Sequence, residues 1–228
     1  MWSQLLSLFS SEDPAKRMGD DFMRMLQTTR RMCEIVRPHV FDHLLTLERR
    51  KEILDLDVEV NRLERAIRRQ IVSHLSVQQQ HVSYCLVLLM LVGHAERVGD
   101  YAKNIAEVET LGGGVIPEGP LREELTDLIE IAHKLLEAAG DVISSQNKER
   151  AKELVLIARN SSKRSDKLLV ELSKSDLTPP QVTSMVLLTR FYRRITSHMK
   201  NILTSVVMPV HQVDYFADEL PEDEGGES

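Results

Sequence analysis

Apolar positions recur along most of the chain at three- and four-residue spacing, the period of an amphipathic helix, and no alternating stretch of more than a few residues suggests a strand. The first pattern opens at Ser10-Ser11-Glu12-Asp13-Pro14, a helix-start signature behind a short apolar stub. It runs to about Arg37, where Pro38 ends or interrupts it. A second helix is expected over about 45–75. Ser76 is placed as the N-cap of a third, with Gln79 at the capping-box position, and this helix continues to about Glu109. Gly112-Gly113-Gly114 follows, with Pro117, Gly119 and Pro120 behind it, and reads as a hinge near the middle of the chain. The plan then repeats. Helices are expected over 121–145 and 148–173, and a last one is opened by Thr178 as N-cap with Pro179 at the first helical position. It reaches about Val207 and is stopped by Pro209.

Short connections favour antiparallel neighbours, so the expected fold is all-α, two tandem antiparallel three-helix bundles. The first spans 1–111 with its stub, the hinge 112–120, the second bundle 121–210, and a tail 211–228. The halves also share sequence. Residues 96–105 (ERVGDYAKNI) and 193–202 (RRITSHMKNI) carry Arg, a β-branched residue, Lys, Asn and Ile at matching places, and 60–63 (VNRL) finds a counterpart in 165–168 (SDKL).

Composition sharpens this outline. The 228 residues are 42% hydrophobic but only 4% aromatic, with ten Gly and eight Pro. The formal charge of −6 is unevenly placed. From 214 to 228 there are seven acidic residues and no Lys or Arg; taking these from the 35 acids leaves 28 against 29 bases in 1–213. The body is near neutral, which argues against nucleic acid as a partner, since such binding rests on neutralising phosphates. The acidic tail has the composition of a disordered end. Cys33 and Cys85 form neither a disulfide framework nor a zinc spacing, and a reducing cytoplasm is the simplest setting. The longest apolar run, 84–93 (YCLVLLMLVG), is too short to span a bilayer and fits a buried helix. The N-terminus shows no secretory signal pattern. Trp2, Leu5, Leu6, Leu8 and Phe9 form a stub that either touches a membrane or transporter, or packs on the first bundle or frays.

The candidate chemistry lies on the second and third helices. Glu96 and Asp100, four apart, share one helix face beside the small-residue stripe Ala95, Gly99, Ala102 and Ala106. Asp57, Asn61 and Glu64 form a polar stripe next to the apolar stripe Leu56, Val60, Leu63 and Ile67. Antiparallel packing sets Asp57/Asn61 opposite Glu96/Asp100, an oxygen-rich set suited to magnesium, manganese, iron or zinc. Spacing leaves a second reading open: such acids are commonly solvated or paired, and Arg62, Arg65, Arg97 and Lys103 are at hand. His81 and His94 lie near the stripe, but lone helical histidines are more often packed or surface residues than ligands. A ferritin-like di-iron bundle needs two Glu-x-x-His motifs, and only 130–133 (EIAH) fits. Met18, Met23, Met25 and Met32 read as adaptable packing. No nucleophile–base set and no phosphate-cradling glycine loop stands out, so no enzyme is expected.

Residues 96–107 (ERVGDYAKNIAE) resemble the signature of the PhoU family of phosphate-uptake regulators, and 57–64 (DVEVNRLE) is similar to its partner motif on the preceding helix. The resemblance covers about 18–210. It implies two three-helix bundles in a cytoplasmic, often dimeric protein that represses phosphate-starvation signalling, with the phosphate ABC transporter and a sensor histidine kinase as partners. Related domains act beside sodium–phosphate cotransporters, the alternative role. Family members carry metal clusters on paired acidic motifs, one per bundle. Carried onto this chain, that implies Asp57, Asn61, Glu96 and Asp100 as ligands, with Asn61 already a weaker one. In the second bundle the matching positions are Ser162, Asp166, Arg193 and Ser197. A metal beside Arg193 would set cation against cation. At most one metal site is therefore expected, in the first bundle, with Arg193 standing in for the metal's charge in the second and pairing with Asp166.

Overall fold

The computed structural model describes residues 14–42, 45–77 and 80–208. The apolar stub, Ser10 to Asp13, Gln79, Pro209 and the acidic tail lie outside the described residues. Six α-helices are present: α1 (Pro14–Val36), α2 (Leu47–Val77), α3 (Val82–Ala106), α4 (Pro120–Ser145), α5 (Lys148–Leu172) and α6 (Pro179–Val207). No strand occurs among the described residues. Helices α1–α3 form one antiparallel three-helix bundle and α4–α6 a second, as the periodicity predicts.

Local chemistry accounts for the ends of the helices. Pro38 lies in a 3-10 turn, Arg37–His39, directly after α1. Asn147 caps α5, its side chain accepting the backbone N–H of Arg150 at 3.0 Å. Thr178 caps α6 with Pro179 in the first turn, and the Thr178 N–H donates to Gln181 Oε1 at 3.0 Å. The α2–α3 boundary differs from expectation. Ser76 is not an N-cap; it lies inside α2 and its hydroxyl donates back to the Val72 carbonyl at 2.7 Å. The chain turns instead at His81, which holds φ +58° in the left-handed region and precedes α3. Histidine adopts that conformation more readily than most residues but is a far weaker turn signal than glycine, so the sequence pattern extends the third helix back too far.

The halves do not merely abut. Helix α3 packs along α6, and α1 along α4, so that one apolar core runs through both bundles. Across α3/α6 His94 meets His198 and Tyr101 meets Phe191, so the two helices run antiparallel. Helix α3 is long and apolar enough to cross a membrane, but half of its most apolar window is buried inside the protein. It is accounted for here as the central core helix, with Leu88, Leu91, Val92, Ala95 and Val98 fully covered. Each of the buried Leu and Val side chains adds about 1.5–3 kcal/mol of burial energy.

The Gly/Pro segment between the bundles is tied at several points. Gly114 N–H donates to the Pro180 carbonyl at 2.9 Å, Ser184 Oγ to the Gly114 carbonyl at 2.8 Å, and Ile116 N–H to the Phe41 carbonyl at 3.2 Å. A Cβ on Gly113 would stand 2.5 Å from Ser184 Oγ and 2.7 Å from a Val108 methyl, so glycine is what allows this close approach.

Candidate functional site

Helices α2 and α3 bring together the four expected residues. Asn61 Nδ2 donates to Asp57 Oδ2 at 3.3 Å within α2. On the facing helix Glu96 and Asp100 are one turn apart. The group that joins the two sides is Lys103. Its ammonium donates to Asp57 Oδ2 at 3.1 Å and to Asp100 Oδ1 at 3.2 Å. Lys103 lies three residues after Asp100 and seven after Glu96, which places it on the same face of α3.

The electrostatics are those of a partly covered acid cluster with one internal cation. Burial, then the charges of Asp100 and Glu64, push the Glu96 carboxyl up to about 7, with Arg97 opposing. Burial by itself would lower Lys103, but its hydrogen bonds to Asp57 and Asp100 hold the ammonium above the ordinary lysine value. Glu64 is taken up by Arg68 at 2.7 Å. Gly99 sits between the acids with Met32, Thr29 and Val60 around it, at distances where a Cβ would make ordinary contact. The small stripe therefore eases packing here without being indispensable at Gly99.

Whether this set fits a metal ion is answered by where the side chains point. Among the described residues no three His, Cys, Asp or Glu side chains converge to hold one. The charge between Asp57 and Asp100 is the Lys103 ammonium, which a metal ion would have to displace. As arranged, the seam fits a bound ammonium rather than a metal.

The second bundle shows the expected pairing of Arg193 with Asp166. Arg193 on α6 donates to Asp166 on α5. Ser162 and Ser197 take no part: their hydroxyls donate back to the Ala158 and Arg193 carbonyls of their own helices, at 3.2 and 2.9 Å. Both bundles thus place a basic side chain at the acid seam.

Other expected candidates fall elsewhere. His94 is drawn away from the acids to the α3/α6 contact, its Nδ1 lying 3.0 Å from Nδ1 of His198. His81 stacks near His74 at the α2–α3 turn, with ring centroids 6.3 Å apart. Cys33 is fully buried and burial pushes its thiol up to about 12, which makes it inert packing. Met18, Met25 and Met32 are core residues.

Comparison with known proteins fits this geometry. The PhoU domain matches residues 15–108, which include both acid motifs and Lys103. The first bundle is thus similar to a PhoU domain. The Deinococcus radiodurans phosphate-specific transport system accessory protein PhoU homolog is 29% identical over 97 residues, 42% of this chain and 45% of that protein. The match thus spans less than half of the length of that relative. The PhoU fold extends further than the sequence match. The crystal structure of PhoU from Pseudomonas aeruginosa covers 85% of this chain and 95% of its own at TM-score 0.75 and 19% identity. The phosphate transport system regulatory protein PhoU from Streptococcus pneumoniae covers 88% and 95% at TM-score 0.72 and 15% identity. The likeness of fold therefore extends over the second bundle, where Arg193 pairs with Asp166.

Proposed function

We propose that this protein is a PhoU-like regulator of phosphate transport and phosphate-starvation signalling that acts by binding other proteins and performs no catalysis. The observation that carries the reading is the PhoU domain at 15–108 inside a chain with the PhoU fold over 85% of its length. The site chemistry supports it. The charged seam holds hydrogen-bonded ion pairs across α2 and α3, a rigid polar surface suited to recognition. Components of a phosphate transporter, a sensor histidine kinase, or both are the proposed partners, met in the cytoplasm by this chain or its homodimer. A metal ion on Asp57, Asn61, Glu96 and Asp100 belongs to this proposal only on the terms that it displaces the Lys103 ammonium.

The direct test is binding of the purified chain to the isolated ATP-binding subunit of the organism's phosphate transporter, and to the cytoplasmic part of its phosphate-responsive kinase. Saturable binding to either supports the reading. Absence of binding to both, with chain and partners folded, overturns the partner assignment.

A further inference from the structure

Charge is segregated at the end of the chain in a way the phosphate-regulator reading does not use. From 177 to 213 there are four basic residues, Arg190, Arg193, Arg194 and Lys200, and no acid. From 214 to 227 there are seven acids, Asp214, Asp218, Glu219, Glu222, Asp223, Glu224 and Glu227, and no base. The basic run is helix α6. Of its four bases, Arg193 is neutralised by Asp166. Arg190 and Arg194, one turn apart, are exposed, and neither pairs with a carboxylate among the described residues.

The neighbouring helix adds to this patch. Arg97 of α3 is 62% exposed at its side chain, and its nearest carboxylate is that of the adjacent Glu96 at 3.5 Å. His94 meets His198 across the α3/α6 contact at 3.0 Å; Arg97 lies one turn along α3 from His94 and Arg194 one turn along α6 from His198, and both charges act on the His198 ring. Two exposed guanidinium groups from two helices therefore flank the His94–His198 contact, and Arg190 extends the basic face one turn further along α6.

The acidic segment has the reach to meet them. Arg194 lies about 20 Å back from the end of α6, thirteen residues at the helical rise. The ten residue-to-residue steps from Met208 to Asp218 span up to about 33 Å when extended. A chain leaving α6 can therefore fold back and lay residues 218–224 beside Arg194, Arg190 and Arg97. Tethering raises the local concentration of these carboxylates at the patch to the millimolar range, so weak individual pairs suffice.

We propose that the acidic segment 214–227 docks intramolecularly on the basic face formed by Arg97, Arg190 and Arg194, covering the seam between the two bundles. An acidic partner would have to displace it to reach that face.

The test compares backbone amide spectra of the full chain with those of a chain ending at Met208. At low salt, signals around 94–98 and 190–198 are expected to differ. The synthetic peptide 209–228 added to the shortened chain should restore the full-chain positions. The surface double variant Arg190→Glu/Arg194→Glu, in the shortened chain, should weaken peptide binding by about tenfold or more. Raising salt to about 0.5 M should weaken it as well, since these are exposed charges. The proposal is overturned if the two chains superimpose at those signals, if the peptide shifts signals elsewhere only, or if the folded double variant binds it as well as the parent does.

Discussion

Arg193 donates to Asp166 in the second bundle at the places that Glu96 and Asn61 hold in the first. One half of the internal repeat thus carries a base where the other carries an acid, and it closes its own ion pair. Asp166 is 56% exposed, so the pair itself adds little to stability. Arg193→Glu is expected to cost about 1 kcal/mol by setting two carboxylates together, and adding Asp166→Lys should recover most of it. Urea denaturation of the two variants checks this.

Lys103 is the corresponding cation of the first bundle. Lys103→Met leaves Asp57 and Asp100 without their shared donor beside a Glu96 that is already crowded. A loss of about 1–3 kcal/mol is expected, and Asp57→Asn in the same chain should reduce it. Thermal or chemical denaturation reads both.

The same variant separates a bound ammonium from a bound metal. Elemental analysis of purified wild type is expected to find little metal and Lys103→Met more, with Asp100→Ala removing whatever Lys103→Met acquires. Equal and substantial metal in wild type and Asp100→Ala would place the metal elsewhere.

A buried polar pair gives a pH dependence with a definite sign. His133 and Tyr192 lie 2% and 1% exposed, their rings 6.2 Å apart, and neither His133 Nε2 nor the Tyr192 hydroxyl has a partner among the described residues. Burial, followed by the Arg37 charge, lowers His133 to about 4. The unfolded chain, with an ordinary histidine near 6.5, therefore takes up the proton first. Stability from the neutral ring is complete above about pH 6.5 and is lost as pH falls towards 4. His133→Phe should flatten that slope, its advantage over wild type growing from pH 6.5 to 4 in denaturant titrations.

The linker makes a steric prediction. Gly113→Ala forces a methyl against Ser184 Oγ, a Val108 methyl and the Val108 carbonyl, the last at 2.8 Å. A cost of about 1–3 kcal/mol is expected from this overpacking, read as a lowered Tm.

Most of the fold was legible because its breaks carry strong local chemistry. Pro14, Pro38, the Gly/Pro segment and Thr178-Pro179 each constrain the backbone, and the helices begin or end beside them. The α2–α3 boundary is misplaced in the sequence pattern because its turning residue, His81, carries no constraint as strong as proline or glycine, yet adopts a left-handed conformation. At the site, periodicity put Asp57, Asn61, Glu96 and Asp100 on facing helices. It did not single out Lys103 from Arg62, Arg65 and Arg97, since all are long and near, and only the packed geometry shows which one lies between the acids. Helical phase likewise brought His94 close to Glu96 along the chain, yet its side chain turns to α6, a neighbour contributed by the other half.

Regulation of phosphate supply is read most directly from a phosphate-starvation reporter in phosphate-replete cells lacking this protein. The reporter is expected to switch on, or phosphate uptake to change, and the full-length chain to restore the wild-type level. A deletion strain with reporter and uptake both unchanged would contradict it.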